Sequence, residues 1–292
     1  MYYHYATAIS RNLGWVTAEE QHRLHDATVA IAGLGGVGGS HLLTLTRLGV
    51  GGFHLADFDT FGLENFNRQA GARLTTIGKS KLDTLVSMAL AINPSLRLKT
   101  FAEGVTEENV GSFLDDVDCY VDGLDFFALD IRRLVFSACQ RRGIAAITAA
   151  PLGMGAALLT FVPGSMSFED YFGFEDGSHN EDRNYLRFLL GLAPRALHRP
   201  ALVLPQRIDL KARKGPSTAM GCEMCASLAG SQVLKILCNR GPLKAAPWAV
   251  QWDGYSLRQV TTWRPGGARN PLNRFQFALA WRSLRSRIDT AE

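Results

Sequence analysis

The sequence is poor in cysteine. Cys119, Cys139, Cys222, Cys225 and Cys238 are five in 292 residues, an odd number and too sparse for a disulfide framework, which fits a reducing cytoplasm. There is no run of about 18 uninterrupted apolar residues, so no membrane span is expected. The start, residues 1–15, lacks a basic stretch followed by an apolar run, so no secretory signal is expected either. Internal repeats, low-complexity segments and a clear linker are also missing. Charge of one sign is scarce: 31 Lys and Arg against 27 Asp and Glu give +4. That balance permits an anionic partner such as a nucleotide but is too weak to argue for nucleic acid. Apolar residues, by contrast, make up 47% of the chain, enough for a large core, and this excludes disorder throughout. At about 150 residues per domain the length allows two domains, but single α/β domains of this size are ordinary, and residues 1–292 read as one.

Two periodicities alternate through the first half. Short apolar runs at Val29–Ala32, Phe53–Asp57, Leu96–Phe101, Cys119–Asp122, Ile144–Ala149 and Ala156–Val162 predict strands. Helical spacing is predicted over Ser40–Leu48, Gly78–Ile92, Thr106–Leu114 and Ala128–Arg142, with Asn93-Pro94 and Gly143 as stops. Strands alternating with helices at this spacing predict a doubly wound, mostly parallel α/β sheet of Rossmann-like type. Thr17 and Glu20 fit a capping box for a short helix ahead of the first strand, and Arg11 precedes that helix. Residues 163–216 hold many turn formers and read as an insertion with one helix, roughly Asp182–Leu192. Ala219–Cys238 predicts a largely buried helix of small residues. Ala249–Asp253 and Leu257–Trp263 predict an antiparallel hairpin around Gly254, and residues 264–292 a helical tail docked on the surface with four arginines in its helix.

The chemistry begins at the glycine loop. Gly33, Gly35 and Gly38 satisfy G-x-G-x-x-G between a strand and a helix, with Gly36 in the same turn. Such a turn lets the backbone approach phosphate while the helix N-terminus supplies N–H donors. Alone it suits a nicotinamide or flavin enzyme equally well, or a turn with no ligand. Asp57, about 20 residues on, stands where an acid holds ribose hydroxyls. Just beyond the second strand come Asp59, Asn65, Arg68 and Gln69. Lys81 opens the next helix, and Asp125 follows the fourth strand. Cations and acids are thus expected to converge at the edge where open α/β sheets bind ligands. A redox dinucleotide needs no such cluster, whereas a triphosphate being cleaved does: cations neutralise charge on the leaving pyrophosphate, and an acid can hold Mg²⁺. Taken singly, Arg68 and Lys81 also read as surface ion pairs and Asp125 as a strand-end cap.

Taken in order, Gly33-Leu-Gly-Gly-Val-Gly38, Ala56-Asp-Phe-Asp59, Asn65-Phe-Asn-Arg-Gln69, Gly78-Lys-Ser-Lys81, Ile92-Asn-Pro94 and Asp122-Gly-Leu-Asp125 resemble the ThiF/MoeB superfamily, bacterial relatives of ubiquitin-activating enzymes. The resemblance covers residues 8–162 well and 219–238 loosely. It implies adenylation: a carboxylate attacks the α-phosphorus of ATP and pyrophosphate leaves. It further implies that Asp57 holds the ribose, that Asn65, Arg68 and Lys81 contact the triphosphate and that Asp125 holds Mg²⁺. Arg11 would reach the phosphates of the neighbouring protomer in a homodimer. A carboxylate is already ionised at neutral pH, so no general base is required, in keeping with seven histidines that fall in no motif.

The expected substrate is the C-terminal glycine of a small ubiquitin-like or sulfur-carrier protein. The carboxylate of a small molecule, a peptide or, less favoured, a tRNA nucleoside is the alternative. From a different class, an NAD- or FAD-dependent oxidoreductase and an inactive nucleotide-binding subunit remain as readings. Many relatives bind zinc through two C-x-x-C pairs; here only Cys222 and Cys225 have that spacing, half of a closed site, so zinc is not expected. The same two cysteines lie near where some relatives carry an acyl-accepting thiol, which makes either one a lesser candidate for thioester chemistry. The segment 163–216 is expected to lie over the adenylate and to set or cap the substrate.

Overall fold

The computed structural model describes residues 3–177, 180–208 and 212–289, with side chains to residue 285. Its helices are α1 (Tyr5–Ala8), α2 (Ala18–Asp26), α3 (Gly36–Leu48), α4 (Lys81–Ile92), α5 (Val110–Phe113), α6 (Leu129–Arg142), α7 (Phe168–Phe172), α8 (Glu181–Leu192), α9 (Ala219–Leu237) and α10 (Pro271–Asp289). Its strands are β1 (Thr28–Ala32), β2 (Gly52–Ala56), β3 (Arg97–Phe101), β4 (Cys119–Asp122), β5 (Ala145–Leu152), β6 (Gly155–Phe161), β7 (Trp248–Asp253) and β8 (Arg258–Trp263).

One sheet runs in the order β3-β2-β1-β4-β5-β6-β7-β8. The first five strands pair in parallel and the last three antiparallel. The chain winds outward from β1 in one direction and from β4 in the other. The crevice beyond their carboxyl ends is therefore the topological switch point, where sheets of this kind bind ligands. Each face carries its own core, sorted by strand alternation. Ala30 and Ala32 of β1 and Tyr120 of β4 face an aromatic-rich layer with Phe113, Phe136, Phe161 and Phe168. Val29 and Ile31 of β1, and Val121 of β4, face α3, α4 and α9 through Leu42, Leu45, Leu85 and Val233. The small face of α9 packs on α3, where Gly230 comes close to Thr44; Glu223, Ser227 and Ser231 form its exposed stripe. Among the described residues, no helix is long and apolar enough to cross a membrane.

Several boundaries differ from expectation. The glycine turn itself forms the first turn of α3, which starts at Gly36 rather than Ser40. The helix over 106–114 shrinks to the single turn α5, because Thr106 and Asn109 exchange side chain–backbone hydrogen bonds that compete with the helix. Among its described residues, the segment 163–216 holds two α-helices, not one. The extra helix is α7, capped by Ser167 at the Asp170 N–H and ended by Gly173 at φ 64°. Its Phe168, Tyr171 and Phe172 plug the aromatic core, so α7 anchors the segment. The Thr17–Glu20 capping box forms as read, with both reciprocal hydrogen bonds.

His41 lies on α3 almost fully enclosed, and neither ring nitrogen has a hydrogen-bond partner. Burial pushes its pKa down to about 4, against a small upward pull from Asp122. The unfolded imidazole takes up a proton as pH falls through about 6.5, while the folded one stays neutral to about 4. Stability is therefore full above pH 6.5 and is lost as pH falls toward 4, by roughly 2–3 kcal/mol from this group. Urea unfolding of wild type and His41→Leu between pH 4.5 and 7 checks this: the acid limb should be shallower in the variant. Equal slopes would remove His41 from the account.

Candidate active site

The glycine loop is held by contact with the loop after β4. Gly33 follows β1 at φ 81°, in the left-handed region that favours glycine. A Cβ on Gly38 would lie 1.8 Å from the Gly33 carbonyl oxygen, and one on Gly123 would lie 2.2 Å from the same atom. Three backbones therefore meet where only glycines fit. Gly38→Ala is expected to cost about 1–3 kcal/mol through this clash and, on the expectation from sequence that this turn receives ATP, to weaken that binding along with it. A thermal melt and nucleotide calorimetry measure the two; an unchanged melting temperature would mean that the loop is looser than this geometry.

The N-terminus of α3 has Gly35 as its cap residue and no side chain capping it. Its first-turn N–H groups and the positive end of the helix dipole are thus presented to an anion. Around them stand side chains from the segment after β2. Gln69 is buried with its amide 3.7 Å from the position a Gly35 Cβ would take, and its Oε1 has no partner. The Arg68 Nε lies 3.7 Å from the corresponding point on Gly36. Its Nη1 donates to the Glu64 carbonyl and to Asn67 Oδ1, which hold the guanidinium in place. Asn65 is buried, and its Oδ1 accepts from the Gly62 N–H. Lys81 is 93% buried at the start of α4, with Nζ 2.9 Å from Asp59 Oδ2.

Asp57 stands immediately after β2. Its Oδ2 accepts from the Leu34 N–H at 2.6 Å and its Oδ1 from the Asp59 N–H at 2.8 Å. Burial raises this carboxyl above the usual carboxylate range, and the two N–H groups and Lys81 pull it back. Each oxygen keeps acceptor capacity for a sugar hydroxyl. The donors, the orphaned Gln69 carbonyl and the cradle that a Cβ would fill all fit a nucleotide triphosphate.

Asp125 is exposed on the loop after β4, with Oδ1 accepting from the Phe127 N–H. One free carboxylate suits Mg²⁺, which takes one or two from protein and the rest from phosphate and water. The loop is shaped by a pair that sequence reading did not single out. Arg132 of α6 and Asp122 at the end of β4 are both buried, with Nε 2.8 Å from Oδ2. Arg132 also donates Nη2 to the carbonyls of Leu124 and Asp125, and Thr148 donates its hydroxyl to Asp122. The signal was thin: Asp122 sits in the quoted motif, but Arg132 reads as an ordinary charge on an amphipathic helix. Above this loop, Tyr185 and Phe188 of α8 pack on Phe127 and Phe126, so α8 flanks the loop that carries Asp125.

Arg11 is not brought to this crevice. Its neighbour Asn12 bonds the carbonyls of Arg47 and Leu48, at the far end of α3, about 20 Å from the glycine loop along that helix. Cys222 comes unexpectedly close instead. It lies in the first turn of α9, and its Sγ is 3.1 Å from where a Gly36 Cβ would stand. Burial raises its thiol pKa, opposed by Ser217 and the Arg68 charge. Cys225, one turn on, is buried and held well above the usual thiol range. Neither is poised as a thiolate.

The chain matches the ThiF family over residues 9–274. It is 35% identical over 144 residues to Protein HesA of Nostoc sp. (strain PCC 7120), which covers 49% of this chain and 56% of that protein. It is 34% identical over 149 residues to the tRNA threonylcarbamoyladenosine dehydratase of Bacillus subtilis, covering 51% and 56%. The chain thus spans little more than half the length of these relatives. Among solved structures, E. coli MccB with ATP aligns at TM-score 0.65 and 20% identity over 90% of this chain and 72% of that one, a likeness of fold.

Proposed function

We propose, from the premise that this chain belongs to the ThiF family, that it is an ATP-dependent adenylyltransferase acting on a carboxylate. One observation carries the reading: an uncapped helix N-terminus at the switch point with a guanidinium beside it and a buried lysine close by. A redox coenzyme carries one bridged diphosphate and releases no pyrophosphate, so it needs no such cluster of cations.

In this reading the N–H groups of the glycine loop receive the phosphates and Asp57 takes the ribose hydroxyls. Gln69 and Asn65 line the nucleotide. Arg68 and Lys81, the latter steadied by Asp59, face the triphosphate. The substrate carboxylate oxygen bonds to the α-phosphorus as the bond to the bridging oxygen breaks, and that electron pair leaves with pyrophosphate. No proton moves, so positioning and charge neutralisation supply the rate. Asp125 would hold Mg²⁺, which would supply positive charge against the phosphates. Cys222 and Cys225 receive no covalent step, since both are buried thiols held above their ordinary pKa. Arg11 would serve the site of a second protomer in a homodimer, which its distance from the crevice of its own chain supports. We place the reaction in the cytoplasm.

For the substrate we favour the C-terminal glycine of a small ubiquitin-like or sulfur-carrier protein, with the carboxylate of a small molecule, a peptide or a tRNA nucleoside as the alternative. ATP–pyrophosphate exchange, run with each class of carboxylate in turn, tests both levels. Exchange that depends on one class names the substrate. Tight binding of NAD(H) without binding of ATP overturns the reading.

A further inference from the structure

A second cleft lies behind α8, on the side turned away from Asp125. It is about 620 Å³ in volume, between α8, the end of α7 and α10. Six arginines line it: Arg183, Arg187, Arg264, Arg269, Arg274 and Arg282. Two carboxylates meet them. Glu175 pairs with Arg183 and Arg187, and Asp170 pairs with Arg269. Among the described residues, Arg274 and Arg282 have no carboxylate partner; both are exposed on α10, two turns apart on the rim.

Arg264 decides the reading. It is 93% buried at the base of the cleft, and its Nε and Nη1 have no hydrogen-bond partner. Its guanidinium lies over the Tyr171 ring at 5.1 Å. Arg187 likewise has a buried Nε without a partner. A desolvated cation with open donors is costly unless an anion meets it. The walls are firm: the Phe277 and Trp281 rings stack, and Arg183 and Arg187 lie over Phe277 at 5.2 and 4.4 Å. The donor forks are therefore held by aromatic packing as well as by Glu175. A single carboxylate ligand would leave most of this charge uncovered, whereas a phosphate carries two charges and three acceptor oxygens.

We infer that the cleft between α8 and α10 is a second anion site that binds a phosphate-bearing ligand, apart from the glycine loop. The inference rests on this cleft alone and stands whether or not the chain adenylates a carboxylate. Trp281 in its wall gives a local readout.

Titration of the full chain with sodium pyrophosphate, followed by tryptophan fluorescence, is expected to give a saturable change that Trp281→Phe abolishes. Arg274→Gln combined with Arg282→Gln should weaken that binding tenfold or more at an unchanged melting temperature. The same titration with a short single-stranded RNA distinguishes the source of the phosphate. Tighter binding of RNA than of pyrophosphate assigns the cleft to a nucleic-acid backbone, and the reverse to a small phosphorylated molecule. The inference falls if neither probe gives a Trp281-dependent change, if the double variant binds as wild type does, or if sodium chloride of equal ionic strength has the same effect.

Discussion

Asp125→Asn is expected to keep its fold and lose roughly 10²–10³ in the rate of ATP–pyrophosphate exchange, the size of effect seen when one charge-stabilising group is removed from a transition state. The carboxylate is exposed, and its one structural duty is to accept from the Phe127 N–H. The amide oxygen of Asn can accept the same bond, so the melting temperature should move little. Asparagine loses the full negative charge that holds a hard divalent cation. Magnesium dependence is therefore the sharper readout: the variant should need more Mg²⁺ to reach half its own maximal rate. Wild-type exchange at wild-type magnesium would take Asp125 out of the site. Loss of folding along with rate would instead make it a loop cap.

Arg132→Met should destabilise the protein by about 3–5 kcal/mol in urea unfolding, because it leaves the Asp122 carboxylate buried without its partner charge. Arg132 also donates to the carbonyls of Leu124, Phe126 and Ala128, and its guanidinium lies 4.7 Å from the Phe188 ring centre. Lysine would restore the charge but not this fork, so Arg132→Lys should recover only part of the loss. The double variant Asp122→Asn, Arg132→Met should lose less than the two single changes added together, since the buried charge goes with its partner. Strict additivity would mean that the pair is not coupled. Arg132 holds the loop on which Asp125 stands, so exchange should fall in Arg132→Lys even where the chain remains folded.

Local pattern carried much of this architecture. The apolar runs, the glycine stops and the alternation of periods predicted β1 to β6 and the main helices, because strand and helix periodicity are properties of neighbouring residues. The glycine loop was legible for a similar reason: Gly33, Gly35 and Gly38 stand at G-x-G-x-x-G spacing between an apolar run and a helical one. The failures were local competitions and distant meetings. Side chain–backbone bonds at Thr106 and Asn109 shortened α5, and a segment expected to hold one helix gained a second, the anchor α7.

By itself, then, the sequence determined the doubly wound sheet, the glycine turn after β1 and the place of the acid Asp57 after β2, all written in residues close together in the chain. Tertiary structure alone decided that Arg132 closes on Asp122, that Cys222 rests on Gly36 some 186 residues away, that Arg11 stands at the wrong end of α3 for its own crevice, and that six arginines gather behind α8. The physical reason is packing. Which helix covers which face of the sheet depends on how all the apolar surfaces fill space together, and no stretch of neighbouring residues contains that information.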